Sequence, residues 1–539
     1  MTKPAAPAPL HSPPVPDSTP PAPPSVLGRA DIRKKNLKRL TRRLRLAGVI
    51  TLAVVLVVVA SAFGYYEYRN HQISHVTVGG LQAQPPSGVE NIVLVGSTSR
   101  CALKQQNPVF GLCSQGVTGV NSDVVMILHL DPARKTAAIL SIPRDLFVPN
   151  ARSTGANKID AALVQGPQQL VKAIQNDFGI PIHHYVELNF DSFQGVVNAL
   201  GGINMYFPEP VYDAYSQLNV PTVGCRHLNG FQALAVVRAR HLQYKGPGVK
   251  SSNPRTWPQD PESDLSRIRR DHEFLRVLGA AVSKRGLGNP ITDNSLLGAV
   301  APQLQVDTSF SLPSMFGLVL AFHAVNPATA PQRTLPVIVS SSLHYYYEGY
   351  DYGNVEMTSQ PDDTQAIDAF LGLSASKDTM TGKPLPAPGS FTVSVLNGTG
   401  RSGQAGQTAS ALQALGFSVI GAGDAPTSSS VSETIVFYSS PSHLAAAERV
   451  LHSLSGAATL GQGPTANGAD VTVVTGSDFS VNAPTSPSVG GTSGTSSSSS
   501  AASSSSGTST GSLAAPTPPT QPLAPFDPRS CTASGGEGA

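Results

Sequence analysis

Short, mostly apolar runs and helical spacings alternate through the middle of the chain. Residues 91–95 end at Gly96, residues 124–130 repeat the pattern, and residues 136–142 repeat it again before Pro143. Continuous apolar runs closed by Gly or Pro predict buried strands. Helical patterns follow at residues 168–178 and 191–200, with Asp191 placed as an N-cap and Gly201-Gly202 as a stop. Residues 264–284 give the clearest helix, with Leu265, Ile268, Leu275, Leu278 and Val282 on one face. Strands alternating with helices predict an α/β domain, a mixed sheet flanked by helices, over residues 88–375. A Pro/Gly-rich break at residues 383–389 then precedes a strand-helix-strand-strand-helix-strand pattern over residues 391–480, a small α+β C-terminal domain.

The ends behave differently. Ten prolines among the first 28 residues leave little room for helix or sheet, and residues 29–45 carry nine Lys/Arg. Residues 46–63 are eighteen residues without a charge. With Gly64-Tyr65-Tyr66 they are long enough for a single N-terminal transmembrane helix, so residues 46–66 read as the anchor. Basic residues stay on the cytoplasmic side, which puts residues 1–45 inside the cell and the later domains outside it. Ala60-Ser61-Ala62 resembles a signal-peptidase site, but the long leader favours an uncleaved anchor. Residues 482–539 are mostly Ser, Thr, Gly, Pro and Ala with three charged side chains, and read as a disordered tail.

Composition sharpens this division. Only 13% of residues are charged, well under the usual quarter, and the net charge of +3 hides +8 in residues 1–45 against −5 in the remainder. A basic arm on an acidic body excludes a nucleic-acid partner, whose footprint would lie on the folded face. Four cysteines without a CxxC pair exclude a disulfide scaffold and a zinc module.

Arginines gather at the ends of elements. Arg100 follows the first strand, Arg144-Asp145 the third, and Lys158 lies in a polar loop. Arg238 and Arg240 share a face if that stretch is extended, while Arg267 and Arg270 are three apart on the long helix beside Asp264 and Asp271. Guanidinium forks match phosphate oxygens two at a time, so the set suits a polyanion. Ordinary surface ion pairs with Asp123, Asp145, Asp264 and Asp271 account for the same residues equally simply.

The order of the segments favours the polyanion. NIVLVGSTSR (91–100), SDVVMILHLD (122–131), SIPRDLFV (141–148), NKIDAAL (157–163), LNGFQALAVVRARH (228–241) and DLSRIRRDHEFLRVL (264–278) resemble, in sequence, the motifs of the LytR–CpsA–Psr family. Residues 391–480, opening FTVSVLNGTGRSGQAGQTASALQALGF, are similar to the LytR C-terminal domain of actinobacterial members. The resemblance implies a phosphotransferase of the membrane's outer face, acting in cell-wall biogenesis. It would move a glycopolymer from a polyprenyl pyrophosphate carrier to peptidoglycan with magnesium assisting. It implies diphosphate binding by Arg100, Arg144, Lys158, Arg238, Arg240 and Arg270, with Arg267 beside them as a further substrate-binding residue, catalytic roles for Arg144, Asp145, Arg238 and Arg240, and a magnesium ligand in Asp123. Asp145 either takes the acceptor's proton or orients Arg144. The apolar residues around 186–207 would suit the isoprenoid chain.

Three departures from the family pattern bear on turnover. Thr98 stands where aspartate is common, Asn121 where arginine is, and Asp271 where glutamine is. Losing one of two aspartates weakens a magnesium site. The alternative function is therefore a wall scaffold or regulator that binds polyprenyl phosphate with little transfer. A transcription regulator fits poorly, because only about 45 residues would face the cytoplasm.

Gly398-Thr-Gly400-Arg-Ser-Gly403, with Asp424 beyond it, matches the dinucleotide fingerprint. The domain is too small for that fold, so tight strand–helix packing accounts for the glycines. Cys101 and Cys113 are expected to pair across a short loop in an oxidising compartment, whereas Cys225 and Cys531 have no evident partner. Tyr345, Tyr346, Tyr347, Tyr350 and Tyr352 either stack on sugars or cap a sheet edge.

Overall fold

The computed structural model describes residues 70–482 except 86, 104–105, 262, 285–297, 299, 312, 316, 318–329, 341 and 427–430, together with scattered positions from 51 to 68 and Cys531. The arm at 1–45, most of the anchor at 46–66 and nearly all of the tail at 482–539 lie outside the described residues. Residues 1–69 and 70–539 form two separate units. The described residues between 51 and 68 are helical, and among the described residues no helix is long and apolar enough to cross a membrane.

The expected apolar runs are strands of one seven-stranded mixed sheet. In chain order its strands are β1 (Ser74–Val76), β2 (Glu90–Ser97), β3 (Ser122–Asp131) and β4 (Thr136–Ile142), followed after an excursion by further strands. That excursion is a hairpin, β5 (Phe147–Arg152) and β6 (Gly155–Lys158), then helix α1 (Pro167–Phe178). Next come β7 (His184–Leu188), α2 (Phe190–Ala199), α3 (Gly230–Arg238), α4 (Ser263–Lys284), β8 (Gln305–Asp307) and β9 (Gln332–Thr334). The sheet order is β1-β8-β7-β2-β3-β4-β9. β2 runs antiparallel to β3, and β3 to β4, so the end of β2, the start of β3 and the end of β4 meet at one end of the sheet. That topology, more than any local motif, gathers the site.

The two faces of the sheet bury separate cores. Val93, Val95, Ile127 and Leu140 pack with α1 residues Leu170, Val171 and Ile174 on one side, and Ile92, Met126, Leu128 and Ile139 with Val306 and Phe310 on the other. Each fully buried aliphatic side chain contributes about 1.5–3 kcal/mol. The cap of helix α2 lies two residues before the expected one: Asn189 Oδ1 accepts the Ser192 N–H at 2.9 Å, and Asp191 sits inside the first turn. Asn is an equally good cap, and its position in the preceding loop decides.

After strand β10 (Glu356–Thr358) and helix α5 (Asp362–Leu371), the C-terminal domain comprises β11 (Thr392–Asn397), α6 (Gln404–Ala414), β12 (Ser418–Asp424), β13 (Thr434–Tyr438), α7 (Leu444–Leu451), β14 (Ala458–Gln462) and β15 (Val471–Thr475). The strand order β12-β11-β15-β13-β14 makes a five-stranded mixed sheet with its own core around Val393, Val395, Val436, Leu460 and Val473.

Both cysteine pairs are closed. Cys101–Cys113 has a Cα–Cα distance of 5.1 Å, and Cys225 joins Cys531 at 5.6 Å across 306 residues. The second pairing fastens the far end of the tail to the strand Gly224–Leu228.

Candidate active site

A cavity of about 310 Å³ opens where the three strand ends meet α3 and α4. Its deep wall is apolar, with Leu94, Met126, Leu188, Phe190, Phe193 and Phe274, while Asp123, Arg144, Arg238, Arg240, Arg267 and Asp271 supply its charge. A greasy chamber with convergent cations is the shape expected of a site for a ligand that is part lipid and part anion.

Arg144 is the hub. It ion-pairs with Asp123 at the start of β3, and reaches Asp145 Oδ2 at 3.5 Å and Asp160 Oδ2 at 3.6 Å. Burial pulls its pKa down, but Asp123, Asp145, Asp160 and Asp264 outweigh this and hold it above the ordinary arginine value. Asp145 accepts a hydrogen bond from Lys158 Nζ at 3.0 Å and meets Arg240 Nη2 at 3.4 Å. Burial raises the Asp145 carboxyl, yet Arg144, Lys158 and Arg240 prevail and hold it below the usual carboxylate range. Asp145 is therefore an anion that orients cations, and a poor proton acceptor.

The other arginines divide by environment. Arg238 ends α3 rather than lying in a strand, and its guanidinium stacks 4.8 Å from the rings of Phe110 and Phe190. Burial and the neighbouring Arg100 lower its pKa. Arg240, two residues further, turns instead to Asp264 Oδ1 at 3.0 Å. Arg267 is buried against Asp264 at 3.2 Å and Asp271 at 3.9 Å. Arg270, only 1% exposed, donates to the Ala239 carbonyl and faces Asp260 at 3.6 Å, so it braces the Arg238–Arg240 turn from behind the cavity wall. Arg100 also stands behind the wall, donating to the Phe110 carbonyl at 3.0 Å inside the loop that Cys101–Cys113 closes.

Three carboxyls of the site have raised pKa values that the sequence does not signal, Asp271 among them although it stands out there as a departure from the family pattern. Asp160 is pushed up to about 6, mainly by burial, although Arg144 opposes the rise. Asp271 is 4% exposed, neither of its carboxylate oxygens has a hydrogen-bond partner, and burial pushes it up to about 7. Glu356 is pushed up to about 8, by burial first and then by Asp264 and Asp145. Each lies in the first turn of a helix, within one, or in a short strand, and only the folded neighbourhood marks it.

Asp123 is on the cavity wall and 28% exposed at its side chain, so it can meet a cation that arrives with a phosphate. At the position where aspartate is common, the Thr98 hydroxyl instead accepts the Asn121 N–H at 2.9 Å. Among the described residues no group of three or more His, Cys, Asp or Glu is placed to hold a metal. The carboxylates on the cavity wall are Asp123 and Asp271.

The remaining motifs can be placed in the fold. A Cβ on Gly398 would lie 2.7 Å from the Thr475 carbonyl, so close packing explains that glycine, and Asp424 accepts from Asn397 at 3.1 Å. Tyr345, Tyr347 and Tyr352 surround Phe147 at 4.9–5.2 Å between centroids, while Tyr346 and Tyr350 are exposed.

A mixed α/β sheet that brings Arg144, Arg238, Arg240 and Arg267 to the wall of one largely apolar cavity defines the architecture. Residues 65–363 match the LytR_cpsA_psr family model, and residues 390–479 match that of the LytR cell envelope-related transcriptional attenuator. The chain belongs to the LytR–CpsA–Psr family. It is 31% identical over 340 residues to the probable cell wall biosynthesis protein LcpB of Corynebacterium glutamicum, covering 62% of this chain and 73% of that one. It is also 30% identical over 221 residues to the polyisoprenyl-teichoic acid–peptidoglycan teichoic acid transferase TagV of Bacillus subtilis, covering 40% of this chain and 54% of that one. The LytR-Csp2A-Psr enzyme from Actinomyces oris aligns with a TM-score of 0.40 at 24% identity, over 49% of this chain and 87% of that one.

Proposed function

We propose that this protein is a cell-wall glycopolymer transferase, a phosphotransferase moving a glycopolymer from a polyprenyl diphosphate carrier to a hydroxyl of peptidoglycan. The observation that carries the proposal is the convergence of Arg144, Arg238, Arg240 and Arg267 on the wall of one apolar cavity. The isoprenoid chain fills the apolar chamber, and the diphosphate lies against the guanidinium groups. The acceptor oxygen forms a bond to the sugar-side phosphorus while the P–O–P bridge breaks, and polyprenyl phosphate leaves. Negative charge spreads over the transferring and leaving oxygens, where prepositioned cations stabilise it without reorganisation. Asp123 would hold magnesium, which when bound neutralises part of that charge. Asp145 keeps Arg144, Lys158 and Arg240 in place. Asp271, on the wall and poised near neutrality, is the carboxyl suited to receive the acceptor's proton. The relatives named above, a cell wall biosynthesis protein and a polyisoprenyl-linked teichoic acid transferase, support action on the cell wall, and the uncharged run at residues 46–66 would anchor this chain to the membrane beside it.

Thr98 favours a second reading, in which the protein holds polyprenyl phosphate with little transfer. Purified protein incubated with a polyprenyl diphosphate separates the two. Release of polyprenyl phosphate that is lost in Arg144→Ala supports transfer; tight binding without release supports the scaffold.

A further inference from the structure

One short rail connects the C-terminal domain to the arginine site. At its start the Glu356 N–H donates to the Asp145 carbonyl at 3.0 Å, and Leu146 pairs with Glu356. At its end Gln360 and Gly456 exchange backbone hydrogen bonds at 2.8 and 2.9 Å. Between them the N–H of Thr358 donates to Glu433 Oε1 at 3.1 Å, and its hydroxyl lies 2.7 Å from the same oxygen. Glu433 is 1% exposed and belongs to the C-terminal domain. Val355 and Met357 on the rail share one apolar cluster with Phe147 and with Ala457 across the junction.

These contacts are not interchangeable with looser ones. Pulling Thr358 away would leave a buried carboxyl and a buried N–H without partners, each unfavourable away from water. The Asp145 peptide is therefore tied, and the Asp145 carboxylate in turn meets Arg144, Lys158 and Arg240. Two further anchors hold the same face: Asn150 and Gln462 exchange hydrogen bonds at 2.9 and 2.7 Å, and Tyr438 donates to the Asn176 carbonyl at 3.0 Å.

We propose that the C-terminal domain is a positioning part of the phosphotransfer site, with Glu433 and Thr358 as the positioning residues that keep Asp145 and its cations in register. The proposal rests on the function argued above and gives this second domain a role in it. A displacement of about 1 Å at a reacting centre can cost up to a hundredfold in rate, so a small loosening of the rail is measurable.

The test uses the full chain with Thr358→Val and Glu433→Ala, beside the conservative Thr358→Ser and Glu433→Gln. Three quantities are read: amide hydrogen exchange over residues 143–147 and 355–358, affinity for inorganic pyrophosphate, and kcat and KM with farnesyl diphosphate. Thr358→Val is nearly isosteric and should retain a cooperative melt. The expected result is at least tenfold faster exchange in both segments and about a tenfold fall in kcat for Thr358→Val and Glu433→Ala. Thr358→Ser and Glu433→Gln should stay within twofold of wild type. Exchange that rises only at 355–358, with pyrophosphate affinity and kcat unchanged, would make the rail a docking contact and overturn the proposal alone. A wild-type chain that binds no pyrophosphate would overturn the function and this proposal together.

Discussion

The Asp145 carboxylate touches three cations at once: Lys158 Nζ at 3.0 Å, Arg240 Nη2 at 3.4 Å and Arg144 Nε at 3.5 Å. A carboxylate so placed keeps its charge through neutral pH, and its use is to hold positive groups in position. Because its folded pKa is depressed, the pairing stabilises fully above the ordinary value of 3.8 and fades as pH falls below it.

Asp145→Asn is therefore expected to lower turnover about ten- to a hundredfold without moving the pH optimum. Its melting temperature should fall below wild type at pH 7, and the difference should shrink as pH is lowered below 3.8. A shifted pH optimum would instead make Asp145 the proton acceptor.

Arg144 and Arg270 should fail in different ways. Arg144→Ala removes the hub at the cavity mouth and is expected to abolish turnover while the fold survives. Arg270→Ala strips a buried pair with Asp260 and the Ala239 carbonyl, and should cost about 3–5 kcal/mol of stability. Denaturant titrations beside rate measurements separate the two outcomes.

Which parts of this were legible in the sequence follows from what is local. The strand at residues 91–95 and the helix from Asp264 are written as apolar spacing, and both form as expected. Arg267 and Arg270 share that helix, yet one lines the cavity and the other braces a turn, because α3 ends against only one of them. Asp160 and Glu356 acquire their raised pKa values from burial that no spacing encodes. The Cys225–Cys531 pairing spans 306 residues and depends on where the chain returns. Asn189 took the cap expected of Asp191 because the loop before α2 delivers its side chain to the Ser192 N–H.

The buried Asp271 carboxyl should weaken the fold as pH rises. With its folded pKa near 7 and an ordinary value of 3.8, the folded chain binds the extra proton between these limits. Stability attributable to this group falls across that window by at most about 1.4 kcal/mol per unit, then levels off. Asp271→Asn is expected to gain stability relative to wild type between pH 4 and pH 7, and melting curves across that range read the difference. A constant difference would mean that Asp271 titrates normally.

Non-reducing peptide mapping of the purified chain should recover two cross-links, Cys101–Cys113 and Cys225–Cys531, with no free thiol. Reduction should release the end of the tail from the strand Gly224–Leu228. Recovery of Cys531 as a free thiol would contradict the second link.

The most direct measurement follows a polyprenyl diphosphate-linked glycopolymer mixed with peptidoglycan and the full-length protein, with magnesium or with a chelator. Polyprenyl phosphate and covalently attached glycopolymer are expected to accumulate together, fastest with magnesium, and to vanish in Arg144→Ala. Retention of the intact carrier by wild-type protein, with neither product formed in either condition, would contradict a transferase.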